Sequence, residues 1–535
     1  MKKTIILILA AAALTVFAED LTITATNTMK FGSGSEWAGD KKDIEIKKQY
    51  FEDWLDLQAV KGDFTAGIRF EAADSSSHNE RISEITRMFF NYTKDKISIT
   101  AGDFYGSFGR GLVFGLKESK ADFFDSKVRG GKFEYCGELF GLKALGGKSY
   151  FKYINDFDPL YQTVEEMDNA ILGSELILPV GRYLNYDDLT LNLSGSYLFI
   201  KGDEVPVNQY LHSDMFIEKT DIFGFGLEVS AFDAELYNEY AVKITDRTPS
   251  QTGWANYTSL SYAVKGISLG LEFKDYYKYG ANPNEAASGF TPYQNAPELV
   301  IAHSSHLLNT HPHEVNPNDE IGYKFTWEYQ MNDNTAFKGS FASASKHNGD
   351  SIIPEMDDTY LPYSDSWLGA DMDIDIHRFS AGLGYMKDSP ISKGVNQLIE
   401  PGEDTELEVY SDERLTFMGD YKIKMNETSS ISLCGERQKV NNEFLDEDYN
   451  DIYGSVEYEY SPYGYINVSL ITTSQDVPED SPDSWLGFEA GINIKENHKL
   501  ELFYGRERSG IKCSGGTCRQ VPEFDGLRLT LVSDF

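Results

Sequence analysis

Leu527-Arg528-Leu529-Thr530-Leu531-Val532-Ser533-Asp534-Phe535 reads as one β-strand. Successive side chains of a strand point to opposite sides. Leu527, Leu529, Leu531, Ser533 and Phe535 therefore share one face, and Arg528, Thr530, Val532 and Asp534 share the other. One side is mostly apolar, the other mostly polar, and the last residue is aromatic. The same grammar recurs upstream. Ile321, Tyr323, Phe325, Trp327 and Tyr329 alternate with Lys324, Thr326, Glu328 and Gln330. Ile267, Leu269, Leu271 and Phe273 alternate with Ser268, Gly270, Glu272 and Lys274. Leu189, Leu191, Leu193, Tyr197 and Phe199 oppose Thr190, Asn192, Ser194 and Ser196, and Val456, Tyr458 and Tyr460 oppose Glu457 and Glu459.

Soluble sandwiches alternate too, but three further features favour a membrane cylinder. The strands run about ten residues, enough to cross a bilayer on a tilt. Their polar faces are small and charged, as a wet interior requires. Their connections alternate between short and long. Lys61-Gly62-Asp63, Lys94-Asp95-Lys96, Lys265-Gly266, Asn332-Asp333-Asn334 and Ser461-Pro462-Tyr463-Gly464 have hairpin-turn composition. Residues 32–44, 107–128, 151–167, 203–221, 279–319, 347–373, 475–484 and 508–524 read as long loops. The expected fold is all-β: a single large transmembrane antiparallel β-barrel of roughly 22–24 strands, without an N-terminal plug domain. An even count is required if both termini lie on one side. Parity predicts a strand between residues 387 and 412, where only Leu407-Glu408-Val409-Tyr410 offers one.

Lys2 and Lys3 precede the apolar run Ile5–Phe17, and Val16-Phe17-Ala18 supplies a small-residue cleavage site. Residues 1–18 are thus expected to be a secretory signal peptide, leaving 19–535 as the barrel. The 33 Tyr and 33 Phe suit strands and interfacial girdles. A net charge of −37 argues against nucleic acid, whose phosphates need a basic face. It fits acidic loops bridged by divalent cations at a lipopolysaccharide surface, or a lumen attracting cationic solutes.

Three clusters invite chemistry. His303, His306, His311 and His313 precede Asp319; His306, His311, His313 and Asp319 are candidate ligands for a divalent metal, against the alternative of a hydrogen-bonded loop packed into the lumen. The glycine-rich stretch from Gly102 to Gly111 leaves a strand. Phe104, Tyr105, Phe108 and Arg110 are candidates for a constriction loop, against plain loop packing. Phosphate cradling is excluded, because no Lys-Ser/Thr pair follows. Cys513 and Cys518 flank Ser-Gly-Gly-Thr and are placed to close a small disulfide. Cys136 and Cys434 fall on polar faces, where pairing across the lumen is one alternative. No nucleophile elbow or zincin helix motif is present, so no enzyme activity or cofactor is expected.

Three stretches taken together resemble an uncharacterised family of outer-membrane, porin-like β-barrel proteins common in Bacteroidota. They are Gly102–Arg129, His306–Tyr323 and Arg508–Phe535. The sequence departs from that pattern at Phe114-Gly115 and beyond, where an arginine-rich continuation is expected. The resemblance implies a barrel in the bacterial outer membrane, contacting its lipid and lipopolysaccharide. It also implies that the closing strand ending at Phe535 is read by the barrel-assembly machinery. A passive channel for small polar solutes is the leading expectation. A surface-exposed binding or assembly barrel without transport is the second.

Overall fold

The computed structural model describes residues 21–38, 44–74, 81–119, 124–155, 163–184, 189–202, 219–246, 251–280, 291, 293–301, 303–310, 312–313, 315–389, 411–443, 446–476, 482–514, 517–521 and 523–535. The segment expected to be a leader lies outside them. Twenty-four antiparallel strands close into one barrel. They are β1 (Thr22–Ala38), β2 (Ile44–Lys61), β3 (Phe64–Asp74), β4 (Arg81–Lys94), β5 (Ile97–Phe104), β6 (Val128–Cys136), β7 (Gly141–Asn155), β8 (Thr163–Pro179), β9 (Thr190–Gly202), β10 (Lys219–Ala231), β11 (Ala234–Thr245) and β12 (Gln251–Val264). The wall continues with β13 (Ile267–Tyr277), β14 (Asp319–Asn332), β15 (Thr335–Ser345), β16 (Tyr363–Ile374), β17 (His377–Asp388), β18 (Asp412–Lys424), β19 (Ser429–Asn442), β20 (Glu447–Tyr460), β21 (Gly464–Thr473), β22 (Ser484–Ile494), β23 (His498–Glu507) and β24 (Glu523–Asp534). Each pairs with its sequence neighbour, and β24 pairs back onto β1 from Thr26↔Asp534 to Trp37↔Glu523. No helix of the described residues is long and apolar enough to cross a membrane.

Alternation decides which face is which. Ile267, Leu269 and Leu271 of β13, Phe325 of β14, Phe341 of β15, Leu433 of β19 and Val456 of β20 are all exposed, although large and apolar. They coat the outside. Their neighbours, among them Lys274, Glu436 and Glu457, point inward. The short connections are tight hairpins. Phe232 and Asp233 join β10 to β11 with φ of 52° and 62°, and Lys265-Gly266 join β12 to β13 with φ of 43° and 81°. Two successive positive φ values match the twist of the flanking strands.

The structure revises several expectations. Residues 32–38 and 44 belong to β1 and β2, so most of the expected loop 32–44 is paired ladder. Likewise β7 runs to Asn155 and β8 starts at Thr163, within the expected loop 151–167. Backbone pairing satisfies amides whether the medium is lipid or water, so strands outrun the apolar belt that marks them in sequence. The strand expected at Leu407–Tyr410 falls outside the described residues. In the wall β17 and β18 pair directly, from His377↔Ile423 to Asp388↔Asp412. Cys136 and Cys434 are both free thiols. The segment 508–522 contains a hairpin, Gly510–Ser514 with Thr517–Val521, whose register sets Cys513 opposite Cys518.

Closure of the cylinder ends on Phe535, whose backbone N–H donates to Ala25 O at 2.8 Å and whose carbonyl accepts from Ala25 N–H at 3.0 Å. Unboiled protein in dodecyl sulfate is expected to migrate faster than boiled protein. Deleting residues 533–535 should reduce the fast-migrating fraction several-fold, since each lost ladder bond costs about 1 kcal/mol.

Candidate functional site: two loops inside the barrel

The β5–β6 and β13–β14 connections turn inward. A lumen-filling loop has to bury apolar side chains and find partners for its own amides, and the wall supplies both. Leu112, Val113 and Phe114 are fully buried at 0 % exposure. They join Phe104, Phe108 and Leu116 in one cluster with wall residues Leu145, Ile171, Leu198, Ile200 and Ile222. Phe108 and Phe114 pack in a tilted pair with ring centroids 5.1 Å apart. A Cβ at Gly224 would lie 2.4 Å from Val113 Cγ2, so the wall is hollowed where the loop docks.

Carboxylates of the wall hold the loop's amides. Gly109 N–H donates to Glu175 Oε1 at 2.8 Å, and Arg110 N–H to Glu239 Oε2 at 2.7 Å. Lys143 bridges, donating to Ser107 O at 3.1 Å and pairing with Glu175 at 2.7 Å. Charge-assisted bonds of this kind are about twice as strong as neutral ones. The Arg110 side chain stays partly exposed, with its guanidinium 4.3 Å from the Tyr237 ring centroid and 3.7 Å from Glu235. Tyr105 donates to Asp125 at 2.8 Å. The structure thus places Phe104 and Phe108 in the buried seat, Tyr105 at a polar brace and Arg110 at the loop tip.

The second loop locks onto the first. Tyr279 Oη and Gln294 Nε2 donate to Leu112 O at 3.0 and 2.8 Å, and Asn295 N–H donates to Gly111 O at 3.1 Å. Lys243 of the wall donates to Tyr279 O and Gly280 O at 3.2 and 2.8 Å. The loop then crosses to the far strands. Glu436 of β19 accepts from Ser305 Oγ at 2.7 Å, His306 N–H at 2.6 Å and Leu307 N–H at 2.9 Å. Ile301 and Leu308 pack into a second cluster with Tyr363, Trp367, Met386 and Met418.

The histidines are separate anchors. His303 Nε2 lies 2.7 Å from Asp365, and His306 stacks on Tyr453 at 4.4 Å. His313 stacks on Tyr363 at 4.0 Å, with Nδ1 3.0 Å from Asp388 and Nε2 3.4 Å from Glu320. Asp319 engages His347 at 2.7 Å instead. His311 lies outside the described residues. Among the described residues, no three His, Cys, Asp or Glu side chains are arranged to hold a metal ion. The candidate ligands His306, His313 and Asp319 therefore face separate partners: Tyr453, the Asp388 and Glu320 carboxylates, and His347. The side chains of Cys513 and Cys518 also lie outside the described residues.

Sequence reasoning missed the apolar seat because it read inward faces as uniformly polar. Leu198, Ile200 and Ile222 occupy inward positions of β9 and β10, a break in the alternation that marks where a loop lands.

Burial pulls the His313 imidazolium down, but Asp388 and Glu320 outweigh it and hold its pKa near about 10. A raised pKa means that this contribution to stability is complete below the ordinary value of 6.5 and is lost as pH rises through about 10. Protection factors of the amides in residues 297–318, corrected for base-catalysed intrinsic exchange, should fall over that window, and His313→Gln should make them insensitive to pH there. Gly111 has a φ of +97°, and a Cβ there would lie 2.5 Å from Asn295 O. Gly111→Ala should cost about 1–3 kcal/mol locally and expose residues 106–116 to protease.

Solved structures match along most of the chain at low identity. A copper transporter, OprC, is 10 % identical, with 96 % of this chain and 80 % of that chain covered at a TM-score of 0.44. The P pilus usher PapC translocation pore is 7 % identical, with 96 % and 99 % covered at 0.42. OccK3 (OpdO) of Pseudomonas aeruginosa is 9 % identical, with 98 % and 97 % covered at 0.34. No curated protein matches in sequence. The match that extends along the whole chain, residues 1–535, is to a family of unknown function (DUF6029), and the chain belongs to that family.

Proposed function

We propose that the protein is an outer-membrane channel of a Gram-negative cell, porin-like, through which small polar solutes pass passively along a lumen narrowed by its two inward loops. One observation carries this reading. Inward-facing charges at the short-turn end of the barrel remain exposed although they point away from the apolar outer wall. The Lys499–Glu501 pair, 2.6 Å apart, has side chains 48 % and 39 % exposed, so water reaches the inside of the cylinder. Lys422 pairs with Glu459 at 2.9 Å and Lys338 with Asp371 at 3.0 Å, while Glu457 and Glu489 add further negative charge. A wet interior beneath an apolar coat is what separates a pore from a packed sandwich. Excess carboxylate favours cations over anions.

In this reading lipid and lipopolysaccharide surround the wall, and the strand ending at Phe535 is recognised by the barrel-assembly machinery. The deep burial of Leu112, Val113 and Phe114 supports a second reading, in which the barrel is sealed and serves as a surface-exposed binding or assembly platform.

Conductance across a planar bilayer separates the two. The channel reading expects discrete steps and a reversal potential showing several-fold cation preference in a salt gradient. Replacing Gly106–Leu116 with a short Gly-Ser linker should raise the step size several-fold. Changing Glu457, Glu459 and Glu489 to Gln should abolish the preference. Silence from both wild type and the loop replacement would overturn the channel in favour of the sealed platform.

A further inference from the structure

The β15–β16 connection behaves unlike the two loops described above: it folds outward. On β14 and β15 the odd-numbered residues face outward, as the exposed Phe325 and Phe341 show. Ile321 and Ser345 share that face, yet each is only 1 % exposed. The connection covers them. Tyr323 Oη donates to Ile352 O at 2.6 Å, Glu355 N–H donates to Ser345 Oγ at 2.8 Å, and Ser343 Oγ lies 3.9 Å from Met356 Sδ. His347 reaches Asp319 and Asp275 at 2.7 and 3.1 Å, both outward positions of neighbouring strands.

The segment is braced internally as well. Lys346 N–H donates to Tyr360 O at 2.8 Å, Ser351 Oγ to Ile353 O at 3.0 Å, and Asn348 Nδ2 to Glu355 at 3.2 Å. Its shape is therefore fixed against the wall, and that shape leaves Ile352 65 %, Ile353 68 % and Met356 46 % exposed. Three large apolar side chains held in water by a built loop call for a covering.

We infer that residues 346–362 form a foot whose apolar tip enters the acyl region of the membrane leaflet on the long-loop side. The tip is continuous with the apolar coat. Ile352 is bonded at the level of Tyr323, two residues and about 7 Å along β14 from exposed Phe325. Around it lie residues typical of a membrane boundary. Trp254 and Tyr277 form a tilted pair 4.5 Å apart, and Trp254 Nε1 donates to Asp275 at 3.2 Å. Rings with a polar tip settle where acyl chains meet headgroups. Asp350, Asp357 and Asp358 flank the tip in sequence and bound the apolar island. Acyl chains are thus the occupant that the neighbouring wall already meets.

This inference rests on the reading of the barrel as a membrane protein, and its test separates the two. A benzophenone side chain is placed at Ile353, or at outward Leu433 as the reference, in full-length protein. The protein is reconstituted into vesicles of phosphatidylethanolamine and phosphatidylglycerol and irradiated. Lipid adducts at both positions are expected, with yields within about twofold. A lipid adduct at 433 with none at 353 overturns the foot and leaves the membrane reading standing. A protein–protein adduct at 353 overturns it in favour of a second copy as the occupant. Absence of lipid adducts at both positions overturns both.

Discussion

The pairing of β24 with β1 is the constraint on which everything else depends. A sheet of two dozen strands with an open edge would leave a row of unpaired amides and carbonyls. In hydrocarbon each such group costs several kcal/mol. Once Thr26 to Trp37 meet Asp534 to Glu523, no edge remains. The outside can then be apolar and the inside polar without conflict, since the backbone makes no demand on either medium. The last two strands can complete this only after every preceding hairpin has found its register, so closure makes the whole wall cooperative.

A cylinder this wide cannot fill its interior with wall side chains alone. It holds either water or some other part of the chain, and here two connections of the chain enter it. Two connections descend and are retained by a common device: a carboxylate on the wall accepts N–H groups from the loop. Glu175 and Glu239 do so for the first loop, Glu436 for the second. A buried carboxylate is costly unless several donors meet it, and Glu436 meets three. Apolar contact at Leu198, Ile222 and Trp367 adds burial without direction, while the carboxylates supply direction. Carboxylates of the interior are thus put to structural use as acceptors for the loops' amides.

Much of the architecture was readable from the chain. Period two identified the wall, the apolar face identified the outside, and Lys265-Gly266 and similar pairs identified the tight turns. Legibility failed where a residue's surroundings come from far along the chain. The strand end at residues 32–35, Gly-Ser-Gly-Ser, has no apolar face, so only pairing reveals it. The histidines at 303, 306 and 313 looked like a ligand set because they are close in sequence. In space they do not share a centre: His303 meets Asp365 of β16, His313 lies between Tyr363 of β16 and Asp388 of β17, and His306 stacks on Tyr453 of β20. Leu198, Ile200 and Ile222 were visible as exceptions, but their meaning required knowing that Phe108 lands on them.

Sequence alone determined a closed antiparallel cylinder with an oily exterior, because side-chain alternation is a local property that each strand carries independently. Tertiary structure decided what occupies the middle: which loops turn in, which turns out, and which carboxylates hold them. Those outcomes depend on contacts between residues more than a hundred positions apart, such as Leu307 with Glu436. No local pattern encodes such a meeting, since only the completed wall brings its two sides within reach of one loop.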